Sequence, residues 1–176
     1  MRVLGVDPGS AVTGFGIVEG APGNFRYIGS GTIRTRPGDA MPARLRTIHR
    51  KLLDIVDEFT PAAVSLERNF VARNIQSAFR IGEARAVAML AAAERELPLF
   101  EYPPNMVKLS VAAFGHADKE QVAYMIRRTL GLKDEIEFAS DATDALALAV
   151  CHLSRARTPR LVDAVERRPR ASRLRP

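Results

Sequence analysis

The chain has 176 residues, of which 47% are hydrophobic and 26% are charged, values typical of a single soluble globular domain. Its longest apolar run, from Ala86 to Ala93, falls far short of the ~20 residues that a membrane-spanning helix needs. We therefore expect a soluble protein that does not act in or on a membrane.

The formal net charge of +6 is unevenly distributed along the chain. Residues 155–176 contain eight arginines and only two acidic residues, Asp163 and Glu166, so residues 1–154 carry equal numbers of basic and acidic groups. We predict one folded domain over residues 1–155 and a basic, flexible C-terminal tail over residues 156–176. The tail either stays solvated or contacts phosphates without reading sequence.

The N-terminal third has the pattern of strands joined by short turns. Apolar segments at Arg2–Asp7, Thr13–Glu19 and Phe25–Ile33 are separated by turn residues, which predicts an antiparallel meander. Gly14 and Gly16 lie within the second strand, where glycine permits another backbone to approach closely.

The hydrophobic period then changes from that of strands to that of helices. Apolar residues at helical spacing predict a helix over Ala40–Phe59, and a short buried strand follows at Ala62–Glu67. A long helix is predicted over Asn74–Glu96, with many small residues against which another helix can pack closely. Leu99–Tyr102 is predicted to be the fifth strand.

Three helices are predicted in the remainder. The first begins at the prolines 103–104 and runs through Phe114. The second is capped by Asp118, with Gln121 three residues later, and stops at Gly131. Ser140 is predicted to cap the last, which runs from Asp141 to about Arg155. This order indicates an α/β protein of the ribonuclease H-like fold, with a five-stranded mixed sheet flanked by helices.

Four carboxylates lie where these predicted elements begin or end: Asp7, Glu67, Asp141 and Asp144. Clustered carboxylates bind hard divalent cations such as Mg²⁺, and a pair of such ions is a common catalytic centre for phosphodiester hydrolysis. Two unit charges ~4 Å apart repel by ~4 kcal/mol at an effective dielectric of ~20, so such a cluster needs cations. Each acid also has a simpler interpretation when it is taken singly. Asp7 fits an Asx turn, and Glu67 fits an acid on the surface. Asp141 and Asp144 fit the acidic residues that favour a helix N-terminus.

Several short motifs occur in the order and spacing of one known family. They are Gly5-Val6-Asp7-Pro8-Gly9, Thr13-Gly14-Phe15-Gly16, Leu66-Glu67 with Phe70, Asn74, Ser77 and Ala78, Gly82-Glu83-Ala84-Arg85, Val107-Lys108, Lys119-Glu120-Gln121-Val122 and Asp141-Ala142-Thr143-Asp144-Ala145-Leu146-Ala147. Over residues 1–155 the chain closely resembles the RuvC family of Holliday-junction resolvases, the crossover junction endodeoxyribonucleases.

The resemblance implies a homodimer that binds four-way DNA junctions and resolves them by paired symmetrical nicks during recombination and DNA repair. It implies that Asp7, Glu67, Asp141 and Asp144 are the catalytic, metal-binding residues, although some relatives carry histidine at the position of Asp141. We expect two Mg²⁺ ions per active site, with Mn²⁺ as a substitute. A branch-migration helicase complex is an implied partner.

The resemblance also implies roles for residues beside the carboxylates. Lys108 and Lys119 would act near the scissile phosphate, and Phe70 would stack on an unpaired base. The remaining implied DNA contacts are Arg73, Asn74 and Arg80. From the residues alone, a solvated surface charge is the favoured interpretation of each lysine, and a core position is an alternative for Phe70.

Three other functions remain open at this stage. Asp7, Gly9, Thr13 and Gly14 also fit the phosphate loop of sugar-kinase and actin-like ATPases, although such proteins use two such lobes. A ribonuclease H-like nuclease acting on RNA and a non-catalytic junction-binding module are the others. The lone cysteine, Cys151, is expected in the core. A single cysteine and the lack of a signal-peptide pattern favour a reducing cytosol, and the family resemblance implies a bacterial one.

Overall fold

The computed structural model describes residues 1–68, 75–113, 115–132 and 138–156. Its strands are β1 (Arg2–Asp7), β2 (Val12–Ala21), β3 (Asn24–Arg34), β4 (Ala63–Glu67) and β5 (Leu99–Tyr102). Its helices are α1 (Met41–Phe59), α2 (Ile75–Glu94), α3 (Pro104–Ala112), α4 (Lys119–Thr129) and α5 (Ser140–Arg155). In this part of the chain, no helix has the length and apolar character needed to cross a bilayer.

The strands form one mixed sheet in the order β3-β2-β1-β4-β5. The first three strands pair antiparallel, whereas β4 and β5 run parallel to β1. The two parallel strands follow helical connections, as parallel pairing requires. The predicted five-stranded mixed sheet flanked by helices is therefore confirmed.

Side chains on the two faces of the sheet enter separate cores. Leu4, Val6 and Ile17 lie on one face and belong to the core that contains residues of α1 and α2. Val3 and Val18 lie on the other face, in the core that contains residues of α3, α4 and α5. Because strand residues alternate in direction, Gly5 and Asp7 share the face of Val3 and look towards α5.

Helix α5 lies directly on the backbone of β1 and β2. A Cβ atom at Gly5 would collide with the carbonyl of Ala145, and one at Gly14 with the carbonyl of Asp141. Gly16 faces Leu146 in the same way. The glycines thus set the depth of the helix, which confirms the close approach predicted for Gly14 and Gly16.

Several predicted helix boundaries need correction. The N-cap position of α5 is Ala139, without a side-chain hydrogen bond, and Ser140 is the first helical residue. Helix α2 ends at Glu94 rather than Glu96, and α3 ends at Ala112, because left-handed residues follow both: Glu96 has φ 52° and Ala113 φ 60°. Such residues cannot continue a right-handed helix.

Other local predictions are confirmed. Asp118 and Gln121 form a reciprocal capping box at the start of α4, and Gly131 follows that helix with φ 62°. Cys151 is fully buried. Of the predicted tail over residues 156–176, all but Ala156 lies outside the described residues, so the domain boundary stays a prediction.

Candidate active site

The topology places two of the four carboxylates side by side. Asp7 is the last residue of β1 and Glu67 the last of β4, and these strands are parallel neighbours. Their carboxyl ends therefore meet at one edge of the sheet. Glu67 lies on the α5 face, because Ser65, two residues earlier, donates a hydrogen bond of 2.9 Å to the carbonyl of Leu148 in α5.

Helix α5 brings the other two carboxylates to the same edge. Asp141 and Asp144 lie in its first turns, and the backbone of Asp141 sits directly above Gly14, the cross-strand partner of Asp7. The spacing of three residues puts both side chains on neighbouring positions of the helix surface. Four acids from three elements thus converge at the end of β1.

The convergence of the four acids has its clearest effect on the pKa of Asp7. Its pKa is raised from an ordinary 3.8 to about 7. Burial is the largest cause, and the negative charges of Asp144, Glu67 and Asp141 follow in that order, while Lys119 opposes them. Desolvation and like charges both disfavour the ionised carboxylate, so the site binds positive charge readily.

The second strand-end carboxylate behaves in the same way. Burial and then Asp144 raise the pKa of Glu67, whereas the positive charges of Lys119 and Lys108 lower it. These are the two lysines singled out in the sequence. Both therefore act electrostatically on the carboxylate cluster.

Lys119 makes direct contact with the cluster. Its Nζ atom donates a hydrogen bond of 3.1 Å to Oδ2 of Asp144, and this carboxylate is the main cause of the raised pKa of Lys119. Asp7 and Asp141 add smaller contributions of the same sign. The capping box of α4 begins at the preceding residue and fixes the backbone from which Lys119 extends.

A cleft of ≈ 290 Å³ opens between the acids and the lysines. It is lined by Asp7, Glu67, Pro104, Val107, Lys108, Lys119, Val122, Asp144, Ala147 and Leu148. Aliphatic residues of α3, α4 and α5 lie among its charged groups, and burial of Asp7 and Glu67 strengthens the electrostatic interactions within it. The negative charge of Asp141 also acts on this cleft, because it raises the pKa of Asp7.

The donor set suits hard divalent cations, because carboxylate oxygens are the ligands that such ions prefer. Among the described residues, however, no three Asp, Glu, His or Cys side chains are already arranged around one metal position. The Lys119 ammonium supplies the positive charge at Asp144. Side-chain rotation of the acids is therefore needed to close the set around an ion.

The remaining implied DNA contacts are separate from this cleft or not described. Arg80 is exposed on α2. Phe70, Arg73 and Asn74 lie outside the described residues, so their implied roles stay predictions.

Two polar contacts under the site were not foreseen in the sequence. One is the bond from Ser65 to α5 described above, and the other joins the Tyr102 hydroxyl to Nδ1 of His152 at 2.8 Å. A serine inside an otherwise apolar strand was a usable signal for the first. No local signal marks the second, because its partners are far apart in the chain.

A protein-family model described as crossover junction endodeoxyribonuclease RuvC matches residues 3–152. The chain belongs to the RuvC family. It is 44% identical to the RuvC of Pelotomaculum thermopropionicum, covering 86% of this chain and 92% of that relative. It is 46% identical to the RuvC of Myxococcus xanthus, covering 89% of this chain and 82% of the relative.

Solved structures agree with this membership. The structure of T. thermophilus RuvC in complex with a Holliday junction substrate matches with a TM-score of 0.84 at 36% identity, covering 89% of this chain and 95% of that one. A fowlpox virus resolvase matches with a TM-score of 0.58 at 13% identity, which shows a shared fold only. The ribonuclease H-like prediction is thereby confirmed.

Family membership decides among the functions that the sequence left open. The chain is a crossover junction endodeoxyribonuclease of a metal-dependent nuclease family. The ATPase, the RNA nuclease and the non-catalytic binding module are set aside.

Proposed function

We propose that this chain resolves four-way DNA junctions by paired symmetrical nicks, with Asp7, Glu67, Asp141 and Asp144 holding two Mg²⁺ ions in each active site. The observation that carries the proposal is the convergence of three other carboxylates and a lysine on Asp7. Such mutual repulsion is a cost in a protein that binds no cation. It becomes useful when a divalent ion relieves it.

Bound divalent cations supply a nucleophile of lowered pKa at neutral pH and a counter-charge for the leaving 3′ oxygen. The protein's own contribution is to fix the backbone positions from which the acids reach the ions. Asp7 and Glu67 are fixed by adjacent strands, and Asp144 by a helix seated on glycines. Because the pKa of Asp7 is near 7, cation binding at this site is coupled to loss of its proton.

Lys108 and Lys119 take the role of positive groups beside the reacting phosphate. Both flank the cleft and act on Glu67, and Lys119 contacts Asp144. A preorganised ammonium there offsets the negative charge that develops on the phosphate during attack. Both lysines act as electrostatic stabilisers rather than as proton donors.

Helix α2 supplies the surface for the proposed homodimer. Ile75 and Phe79 are 76% and 70% exposed, and Leu90 is 51% exposed on the same helix. An apolar groove of ≈ 570 Å³ runs past Ile75, Phe79 and Gly82. Exposed apolar patches of this kind mark association sites. A two-fold dimer through α2 would present two active sites to a junction, as paired nicks require.

The substrate and setting complete the proposal. The T. thermophilus relative was solved with a Holliday junction substrate, and four-way junction DNA is the substrate proposed for this chain. A branch-migration helicase complex is its proposed partner. Its proposed location is the bacterial cytoplasm.

The proposal is tested by offering the protein labelled four-way junctions, matched linear duplexes and structured RNA in Mg²⁺, and then in EDTA. We expect nicks at symmetry-related positions of opposite junction strands, only with metal and not on the other substrates. Equal cutting of RNA, or metal-independent cutting, would overturn it.

A further inference from the structure

Arginines follow the end of β3, at the same edge of the sheet as the carboxylates. Residues 30–50 contain five arginines and one acidic residue, Asp39, although residues 1–154 as a whole are balanced in charge. Four of these arginines are exposed, and two of them, Arg34 at the end of β3 and Arg36 two residues later, lie next to the sheet edge. We call this pair the arginine rim.

The rim has a defined distance from the active site. Asp7 pairs with Gly14, and Gly14 pairs with Thr32, so Thr32 is level with Asp7 two strands away. Arg34 follows two residues further along β3. With strands ~4.8 Å apart and a rise of ~3.4 Å per residue, the backbone of Arg34 lies roughly 12 Å from that of Asp7.

The rim is tied rigidly to the turn that follows Asp7. Thr35, the residue between the two arginines, donates from Oγ1 to the carbonyl of Ser10 at 2.7 Å and from its backbone N–H to the carbonyl of Ala11 at 3.1 Å. Arg44 of α1 donates from Nε to the same Ser10 carbonyl and to Thr35 Oγ1, at 3.1 and 2.9 Å. These hydrogen bonds hold the backbone of residues 34–36 against the turn that follows Asp7.

The arginines of the rim differ from other described arginines in their ion pairing. Within the described ranges, neither Arg34 nor Arg36 forms an ion pair, and Arg44 contacts only neutral oxygens. Elsewhere in the same ranges, Arg2, Arg26, Arg85 and Arg95 each pair with a carboxylate. Unpaired, exposed guanidinium groups on a fixed backbone are well suited to bind phosphate oxygens.

We propose that Arg34 and Arg36 bind backbone phosphates of the DNA arm on the β3 side, roughly two to four nucleotides from the phosphate cut at Asp7. A DNA strand rises ~3.4 Å per nucleotide, so a separation of roughly 12 Å spans about that many nucleotides. The rim would then add positive charge outside the cleft that Lys108 and Lys119 line. This inference rests on the proposed nuclease function.

Such contacts position DNA without reading its sequence. Each phosphate neutralised contributes about −0.9 to the slope of log affinity against log salt concentration. Replacing both arginines by glutamine removes two contacts. We therefore expect the slope to become shallower by about two and the junction affinity to fall by one to two orders of magnitude at moderate salt.

The test is an equilibrium titration of labelled junction DNA over a range of salt concentrations, with an Asp7→Asn background to prevent cutting. The variants are Arg34→Gln/Arg36→Gln and Arg34→Lys/Arg36→Lys, and the control is Arg26→Gln. Arg26 is 70% exposed but lies near the opposite end of the sheet and pairs with Glu19, so it matches the loss of an exposed charge. Lysines should restore the slope, and the control should keep it.

A second measurement assigns the contact to particular phosphates. Neutral methylphosphonates are placed at the second to fourth positions from the mapped nick, and binding is compared for parent and glutamine double variant. The neutral phosphates should lower the affinity of the parent. They should leave the affinity of the glutamine double variant unchanged, because that variant no longer makes the contact.

The outcomes separate this inference from the function on which it rests. If the glutamine variant binds with the salt slope of the Arg26→Gln control, or if both respond equally to the neutral phosphates, the rim does not bind DNA, while the nuclease proposal stands. If the parent neither binds nor cuts junctions, the nuclease proposal fails and the rim loses its ligand.

Discussion

Gly14 and Asp141 are in backbone contact: a Cβ atom on Gly14 would overlap the carbonyl of Asp141. Gly14 is also the direct cross-strand partner of Asp7. The missing side chain is what allows the first turn of α5 to rest on the strand beside Asp7. The assembly of the carboxylate cluster therefore depends on a residue that has no functional group.

Replacing Gly14 by alanine should lift the start of α5 from the sheet. Overpacking of this kind typically costs about 1–3 kcal/mol of the free energy of unfolding. Cleavage should fall more steeply than stability, because Asp141 and Asp144 move away from Asp7. Urea denaturation and junction cleavage measure the two effects. Gly38→Ala is the matched control, since a Cβ atom there meets nothing, and an equally small effect at both glycines would contradict this account.

The metal-free protein should lose stability as pH rises from about 4 to about 7. The pKa of Asp7 is near 7 in the folded chain but 3.8 ordinarily, so the folded state holds the proton more tightly over that interval. Above pH 7 the penalty is complete, on the order of 1–3 kcal/mol after allowance for solvent screening.

Asp7→Asn cannot ionise and should remove this penalty. In EDTA at pH 8 the variant should melt at a higher temperature than the parent, with a smaller difference at pH 5. Adding millimolar Mg²⁺ should raise the melting temperature of the parent and not that of the variant. A variant that is less stable than the parent at pH 8 would mean that Asp7 has a structural role instead.

Lys119→Met should slow cutting of saturating junction DNA by about 10²-fold, because a preorganised positive group of this kind is typically worth that much or more. The folded state should survive, since the Lys119 side chain is 77% exposed. Lys51→Met is the control, as Lys51 also pairs with an aspartate at the surface but lies outside the cleft. Equal rates for the two variants would leave Lys119 without a catalytic role.

Phe79→Glu should convert the proposed dimer to a monomer. The side chain is 70% exposed in the described chain, and a charge there would have to be buried in a two-fold interface through α2. Light scattering gives the mass in solution. Leu109→Glu, at a 55% exposed apolar residue of α3, should leave the dimer intact. A parent protein that is monomeric even with junction DNA would contradict paired nicking.

The spacing of apolar residues and the positions of turn residues were sufficient to predict the order of the helices and strands and the five-stranded sheet. They misplaced the start of α5, where serine is the better N-cap residue, because packing of the helix on Gly14 and Gly16 fixes its position instead. The left-handed residues Glu96 and Ala113 also escaped notice, since neither is the glycine or asparagine usual at such positions.

The carboxylates were recognisable because each follows or opens an apolar segment. Their mutual coupling was not, since it depends on which strands are neighbours and how deeply α5 lies. The ion pair between Lys119 and Asp144 joins residues 25 positions apart. No local pattern predicts such a contact, and only the resemblance to the RuvC family drew attention to Lys119.

The central claim is that Asp7 lies at the centre of a metal site that cuts junction DNA. The most direct test compares parent and Asp7→Asn for binding and for Mg²⁺-dependent nicking of the same partly mobile four-way junction. We predict equal affinity within a few-fold, with symmetrical paired nicks by the parent and none by the variant. Nicking by Asp7→Asn at a rate near that of the parent would contradict the account.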